Sequence, residues 1–253
     1  MPFTVKNAVA VAAASVLAFS FFANVNADYV LKYKRHTDQY TINGKTVPAT
    51  DATPVTTLAK DRCRIDQNAD TAIIVRLDRN VVYYVNNKKK QYSEISLDAI
   101  NKAFDTSASA KNQPPSQQEM PAMMAGMMKM MKMEATVTPT GQQKKIGNWN
   151  CAQYTVAQTI MMSTSNSEIW ATTDVKIDPE FYAKFLSAPM FKMQGSEKII
   201  AEMKKIKGVP VQITSTASVM KTEIRSSEEL LDVSETNAAA DLFEIPKGFK
   251  KVK

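Results

Sequence analysis

VTTLAKDRCRID (55–66), TAIIVRL (71–77) and VVYYV (81–85) are three runs rich in β-branched and aromatic residues, each closed by a polar turn: DQN (66–68), DRN (78–80) and NNK (86–88). Short runs of this kind with tight polar turns predict an antiparallel meander. Upstream, YVLKYK (29–34) reads as another strand. Asn43-Gly44 between YTI (40–42) and KTV (45–47) is the strongest short-range hairpin signal a sequence carries. Residues 48–54, bounded by Pro48 and Pro54, read as a loop. Downstream, 135–139, 151–162 and 168–173 are strand candidates, and Val211, Ile213, Ser215, Ala217 and Val219 alternate as one face of a further strand.

Helical signals interrupt this pattern. Ser96 caps a short helix that carries Leu97, Ile100 and Phe104 on one side. Asp178-Pro179-Glu180 has the cap, first-turn proline and acidic residue of a helix start, and this helix runs to Leu186. From Gly195 a third helix sets Ile199, Ile200, Met203 and Ile206 on one stripe before Gly208 ends it.

Residues 119–133 hold eight methionines in fifteen positions, preceded by a polar linker, TSASAKNQPPSQQ (106–118). Met120, Met123, Met124, Met127, Met128 and Met131 fall within roughly 140° of one helix face at about 100° per residue. Lys129 and Lys132 lie outside that arc. Three readings follow. The helix fills the hollow of a curved sheet, where thioethers adapt to an irregular surface. It lines or lids a site for a hydrophobic ligand, repacking around different guests. Or its soft sulfur ligands hold copper(I), although no His or Cys accompanies them.

The first 27 residues set the address. Lys6 is their only charge, an apolar run AVAVAAASVLAFSFFA (8–23) follows, and small residues end the segment at Val25-Asn26-Ala27. This is the layout of a secretory signal, and the run is shorter than the roughly 20 apolar residues of a spanning helix. Cleavage is expected after Ala27, leaving a single periplasmic domain (28–253) with no stable membrane span.

Composition bounds the rest. The formal charge of +7 comes from short lysine groups, such as Lys88-Lys89-Lys90 and Lys204-Lys205, rather than one block. Such groups read as solvated turns and helix faces. No nucleic-acid recognition motif is present, and nucleic acid is not expected as a partner. Cys63 and Cys151 both lie in strand-like segments; in an oxidising compartment an even count favours one disulfide between them, and the alternative is two buried thiols. The single histidine, His36, has no serine elbow or cysteine partner for a triad, and one His with two distant Cys makes no zinc site. Phosphate-cradling loops are missing from a chain with seven glycines. The expected class is a binding protein, not an enzyme, with no cofactor.

Pro139-Thr140-Gly141, Lys144-Lys145-Ile146-Gly147, Cys151, Tyr154 and Glu168-Ile169-Trp170-Ala171-Thr172 resemble a family of exported proteins of unknown function grouped with the periplasmic lipoprotein-carrier (LolA-like) superfamily. The methionine segment and the ending DLFEIPKGF (241–249) are similar to the same group. The resemblance implies an α+β fold: a strongly curved antiparallel sheet, an incomplete β-barrel, partly wrapped around helices with an apolar cavity between them. It also implies a hydrophobic cargo, either an acyl chain or a lipidated protein. The candidate lining is Met120, Met123, Met124, Met127, Met128 and Met131, with Trp149 and Trp170 as aromatic walls. The competing expectation is an envelope interaction or structural protein whose cavity is filled by its own helices.

Overall fold

The structure, a computed structural model, describes residues 28–98, 132–161, 163–175, 177 and 196–252. Strands dominate. The first half contributes β1 (Asp28–Thr37), β2 (Tyr40–Ile42), β3 (Lys45–Val47), β4 (Thr50–Ala52), β5 (Val55–Ala59), β6 (Arg62–Asp66), β7 (Thr71–Arg76), β8 (Val81–Asn86) and β9 (Gln91–Ser96). The second half contributes β10 (Lys132–Ile146), β11 (Trp149–Met161), β12 (Ser163–Thr172), helix α1 (Ser196–Met203), β13 (Val209–Val219), β14 (Thr222–Thr236) and β15 (Lys250–Lys251).

All but β2 and β3 join one 13-stranded sheet in the order β10-β11-β12-β13-β14-β1-β5-β6-β7-β8-β9-β15, with β4 paired to β1. Pairing is antiparallel except for β15 on β9. The sheet does not close on itself, since β10 ends one side. It bends at bulges between Lys32 and Tyr33 and between Trp170 and Ala171, where an extra residue increases the local twist.

The meander of β5 to β8 forms as the sequence predicts, with the run at 55–66 split at Lys60-Asp61 into two strands. The α+β class does not hold. Among the described residues the chain is nearly all strand, with one α-helix and an open sheet that is not wrapped around helices. Two causes are visible. Segments that carry no clean alternation, Gln91–Ser96 and Thr222–Thr236, are strands because they pair with β8 and β1. The loop expected at 48–54 holds β4, which pairs with the end of β1. The helices expected at 119–133 and 178–186, and most of the one at 96–104, lie outside the described residues, although β10 already begins at Lys132. The third expected helix is α1, which ends at Met203 rather than at Gly208; Met203 and, just past the helix, Ile206 pack with Val137, Tyr154, Val156, Ile169 and Ile213, while Ile199 and Ile200 are half-buried.

Glu202 on α1 accepts a hydrogen bond from the Val137 N–H at 2.7 Å. With Pro139 lacking an N–H two residues on, the outer edge of β10 is shielded from further strand addition. On the other side of the sheet, Ala59, Ala72, Ile74 and Val85 form a second apolar surface under Phe243. The outer face of β5 to β8 is therefore covered by the closing segment of the chain.

Two hairpins share one loop geometry with different residues. Asn43 and Gly44 (φ 52° and 72°) join β2 to β3, while Met220 and Lys221 (φ 52° and 66°) join β13 to β14. Left-handed backbone at both loop positions suits Asn-Gly and strains residues with larger side chains. Met220 is exposed, so its side chain gives little back. Replacing Met220-Lys221 by Asn-Gly is expected to stabilise the fold by about 1 kcal/mol, read as a raised urea midpoint at constant slope. An unchanged or lowered midpoint contradicts the strain.

Candidate functional site

The strand registers place side chains in rows across the sheet, and three rows define one face, here the inner face. Tyr29, Leu58, Cys63, Val75 and Val82 stand opposite one another across β1, β5, β6, β7 and β8. Leu31, Thr56, Ile65, Ile73 and Tyr84 form the neighbouring row. On the same face of β1, two and four residues on from Leu31, come Tyr33 and Arg35. Arg35 stands opposite Glu228 of β14, which stands opposite Ile213, then Ile169, then Tyr154. The inner face thus has two apolar territories, one over β1 to β8 and one beneath α1 on β10 to β13. A polar seam of Tyr33, Arg35 and Glu228 separates them.

Alternation explains this placement. In β1 every second residue from Tyr29 to Tyr33 is buried, while Lys32 and Lys34 are exposed. Continuing the same period brings a charge, Arg35, onto the buried face. Glu228 is only 7% exposed. The Arg35 guanidinium donates to Glu228 Oε2 through Nε and forms the ion pair through Nη2. Burial pushes the Glu228 carboxyl up, against the pull of Arg35. Tyr33 is 2% exposed, and its hydroxyl has no hydrogen-bond partner. Burial, with Glu228 nearby, drives that phenol well above its ordinary range.

Beyond these apolar rows, one polar row crosses the same face. Ser167 stands opposite Ser215, which stands opposite Ser226, which stands opposite Thr37. The Ser167 and Ser215 hydroxyls hydrogen-bond at 2.7 Å. The face therefore grades from aliphatic and aromatic, through a matched ion pair, to hydroxyl.

The expected site residues divide. Met120, Met123, Met124, Met127, Met128 and Met131 lie outside the described residues, as does segment 1–27, read from the sequence as a secretory signal. Trp170 is buried in the same apolar cluster as Tyr29, Leu31 and Tyr33, with Trp149 half-buried against that cluster. The Trp170 indole N–H donates to Glu168 at 2.7 Å, and Lys144 Nζ lies 4.0 Å from the ring centroid. The disulfide expected between Cys63 and Cys151 is not formed; both are free, buried thiols. Each acts as a small apolar side chain in the main core, and burial raises both thiols, which keeps them protonated. His36 sits near the end of β1 as expected, exposed, with Nδ1 at 2.8 Å from Asp51 and Nε2 at 3.2 Å from Asp38. The hydrogen bond to Asp51, first among its causes, raises its affinity for the proton.

Tyr33, Arg35 and Glu228 are absent from the sequence candidates. Arg35 had a usable signal, since it continues the buried period of β1. Glu228 had none, because Thr222–Thr236 gives no readable alternation.

Two open grooves have mixed polar and apolar linings. One of about 550 Å³ is lined by Thr136, Val156, Asn166, Ser167 and Thr214, and one of about 700 Å³ by Lys34, Asp51, Val55, Asn68, Asn87 and Leu231. Among the described residues no group of His, Cys, Asp or Glu is placed to hold a metal ion, and no helix is long and apolar enough to cross a membrane.

Comparison with known proteins adds a family. No curated protein matches the chain. Among solved structures, PNGF-II is similar with 14% identity and a TM-score of 0.39 over 89% of this chain and 30% of that one. The chain thus spans under a third of the PNGF-II chain. A domain from Vibrio parahaemolyticus described as an outer membrane lipoprotein-sorting protein is similar with 10% identity and a TM-score of 0.32, over 86% of this chain and 89% of that one. The profile of a family described as a domain of unknown function, DUF4412, matches residues 119–249, more than half of the sequence. The chain belongs to the DUF4412 family.

Proposed function

We propose that this protein is an exported binding protein that takes up a hydrophobic ligand bearing an acyl chain against the inner face of its sheet. The observation that carries the reading is the grading of that face. Leu31, Leu58, Ile65, Val75 and Val82 offer an apolar bed, and the bed ends at a seam with hydrogen-bonding groups. An acyl chain gains about 0.8 kcal/mol for each methylene moved from water onto such a surface, while its polar end needs partners at the margin. The resemblance of residues 146–172 to the lipoprotein-carrier superfamily supports the same reading. The leading segment 1–27 supports a periplasmic address. The six-methionine stripe is the ligand's adaptable cover in this account.

A second reading has its own observation. Leu31, Ile169 and Ile213 are each buried by the chain's own residues, as in a protein whose hollow is filled by its own chain. Binding separates the two. N-phenyl-1-naphthylamine fluoresces strongly only in apolar surroundings, and the purified protein is expected to give a saturable rise that 1-palmitoylglycerol reverses. A rise that is linear in dye and unaffected by the lipid supports the self-filled reading and rejects ligand uptake.

A further inference from the structure

We propose that Tyr33, Arg35 and Glu228 anchor the head group of the ligand and select an uncharged oxygen-bearing head, such as that of a monoacylglycerol, over a free carboxylate. This rests on the acyl-ligand reading and names the ligand class within it.

Three features of the seam carry the inference. Tyr33 and Arg35 are two residues apart on β1 and so share a face, and their cross-strand partners are Leu230 and Glu228. The Tyr33 hydroxyl is buried and has no partner. A buried hydroxyl normally finds one, because leaving it unpaired forfeits the hydrogen bonds it made in water. Its position at the border of the apolar bed points it to a ligand that lies on that bed and ends there in an oxygen. The Tyr33 O–H can donate to a carbonyl or hydroxyl oxygen, and a ligand hydroxyl can in turn donate to the Glu228 carboxylate.

The charge balance decides which head fits. Arg35 is already committed to Glu228 through two of its nitrogens. A fatty-acid carboxylate would bring a second negative charge to a buried site with one guanidinium, and an unmatched buried charge is strongly disfavoured. An ester or hydroxyl adds no charge and supplies the acceptor that Tyr33 lacks. Glu228 therefore acts as a filter against anions, and Tyr33 as the positive recognition element.

Displacement of N-phenyl-1-naphthylamine from the purified full-length protein by 1-palmitoylglycerol and by palmitate tests this. The wild type is expected to bind 1-palmitoylglycerol about tenfold more tightly than palmitate. Tyr33→Phe removes only the unpartnered oxygen; it should fold normally and lose about five- to tenfold in affinity for 1-palmitoylglycerol with palmitate little changed. Glu228→Gln frees the Arg35 charge and should improve palmitate binding by about tenfold, narrowing or reversing the preference. Equal affinity of the wild type for the two lipids, or a preference that survives both substitutions, overturns the anchor while leaving acyl binding intact. Failure of the wild type to take up the dye or either lipid defeats the underlying binding reading, and the anchor with it.

Discussion

Replacing Phe243 by alanine is expected to cost about 3–5 kcal/mol of stability. Phe243 is fully buried, and the side chains around it include Ala59 and Ala72, which are too small to collapse into the space it would leave. The ring is also the centre of a clasp. Arg62 lies over it with its guanidinium carbon 5.0 Å from the ring centroid. Arg64 donates to the Leu242 carbonyl at 3.0 Å, and Arg76 to the Phe243 carbonyl at 3.2 Å. Arg76 is itself buried, held by Asp78 at 2.6 Å and Glu244 at 2.6 Å, and Glu244 reaches on to Arg79 at 2.7 Å. The DLFEIPKGF ending therefore has a structural job: it seals the outer surface of β5 to β8, with Arg64 and Arg76 holding its backbone and Arg62 covering the Phe243 ring. Urea unfolding measures the cost, with the exposed Leu231→Ala as a control expected to stay within about 0.5 kcal/mol. A Phe243→Ala loss below about 1 kcal/mol contradicts the sealing role.

Gly208→Ala is expected to destabilise at least as severely, by about 4 kcal/mol or more. Gly208 has a φ of 90°, and a Cβ built there would lie 1.9 Å from the Thr172 carbonyl oxygen. No side chain can swing away to relieve that contact, because the obstacle is backbone. Thr172 is fully buried and pairs with both Cys151 and Val209, so moving it disturbs three strands at once. Gly44 provides the comparison. Its φ of 72° is equally left-handed, but nothing lies within 4 Å of a built Cβ. Gly44→Ala is then limited to the conformational penalty of about 1–2 kcal/mol. If both alanine variants lose the same amount, close approach to Thr172 is not what fixes glycine at 208.

Much of this architecture was legible. The runs at 71–77 and 81–85 carry enough β-branched residues, between turns of Asp, Asn and Lys, to specify both strands and their hairpin. Asn43-Gly44 specified the β2–β3 loop, and the stripe Ile199, Ile200, Met203 and Ile206 specified α1 and its buried side. Legibility ended where pairing, not pattern, makes a strand. Thr222–Thr236 is crowded with Ser and Glu and has mostly exposed alternate positions, yet it is held on both sides by β13 and β1. Missing β14 meant missing Glu228, and with it the seam. Met220-Lys221 misled for a related reason, since neither residue advertises the tight loop it occupies. The α+β class failed because strands made by pairing rather than by pattern, β4, β9 and β14, enlarge the open sheet, beside which α1 is the one α-helix among the described residues. The cysteines illustrate a different limit: an even count says that a bridge is possible, while only the packing around Cys63 and Cys151 shows two separate apolar side chains. For the site, the apolar rows follow from alternation in β1 and β7, but the neighbour across the sheet is a property of register, which no single strand encodes.

The central claim is that the inner face holds an acyl-bearing ligand. Native mass spectrometry of the full-length protein, purified from its native cells without detergent, tests it most directly. The expected spectrum shows a mass above that of the polypeptide by one lipid, with the adduct released on denaturation and identified as an uncharged acyl ester. A bare polypeptide mass that remains bare after incubation with 1-palmitoylglycerol would contradict it.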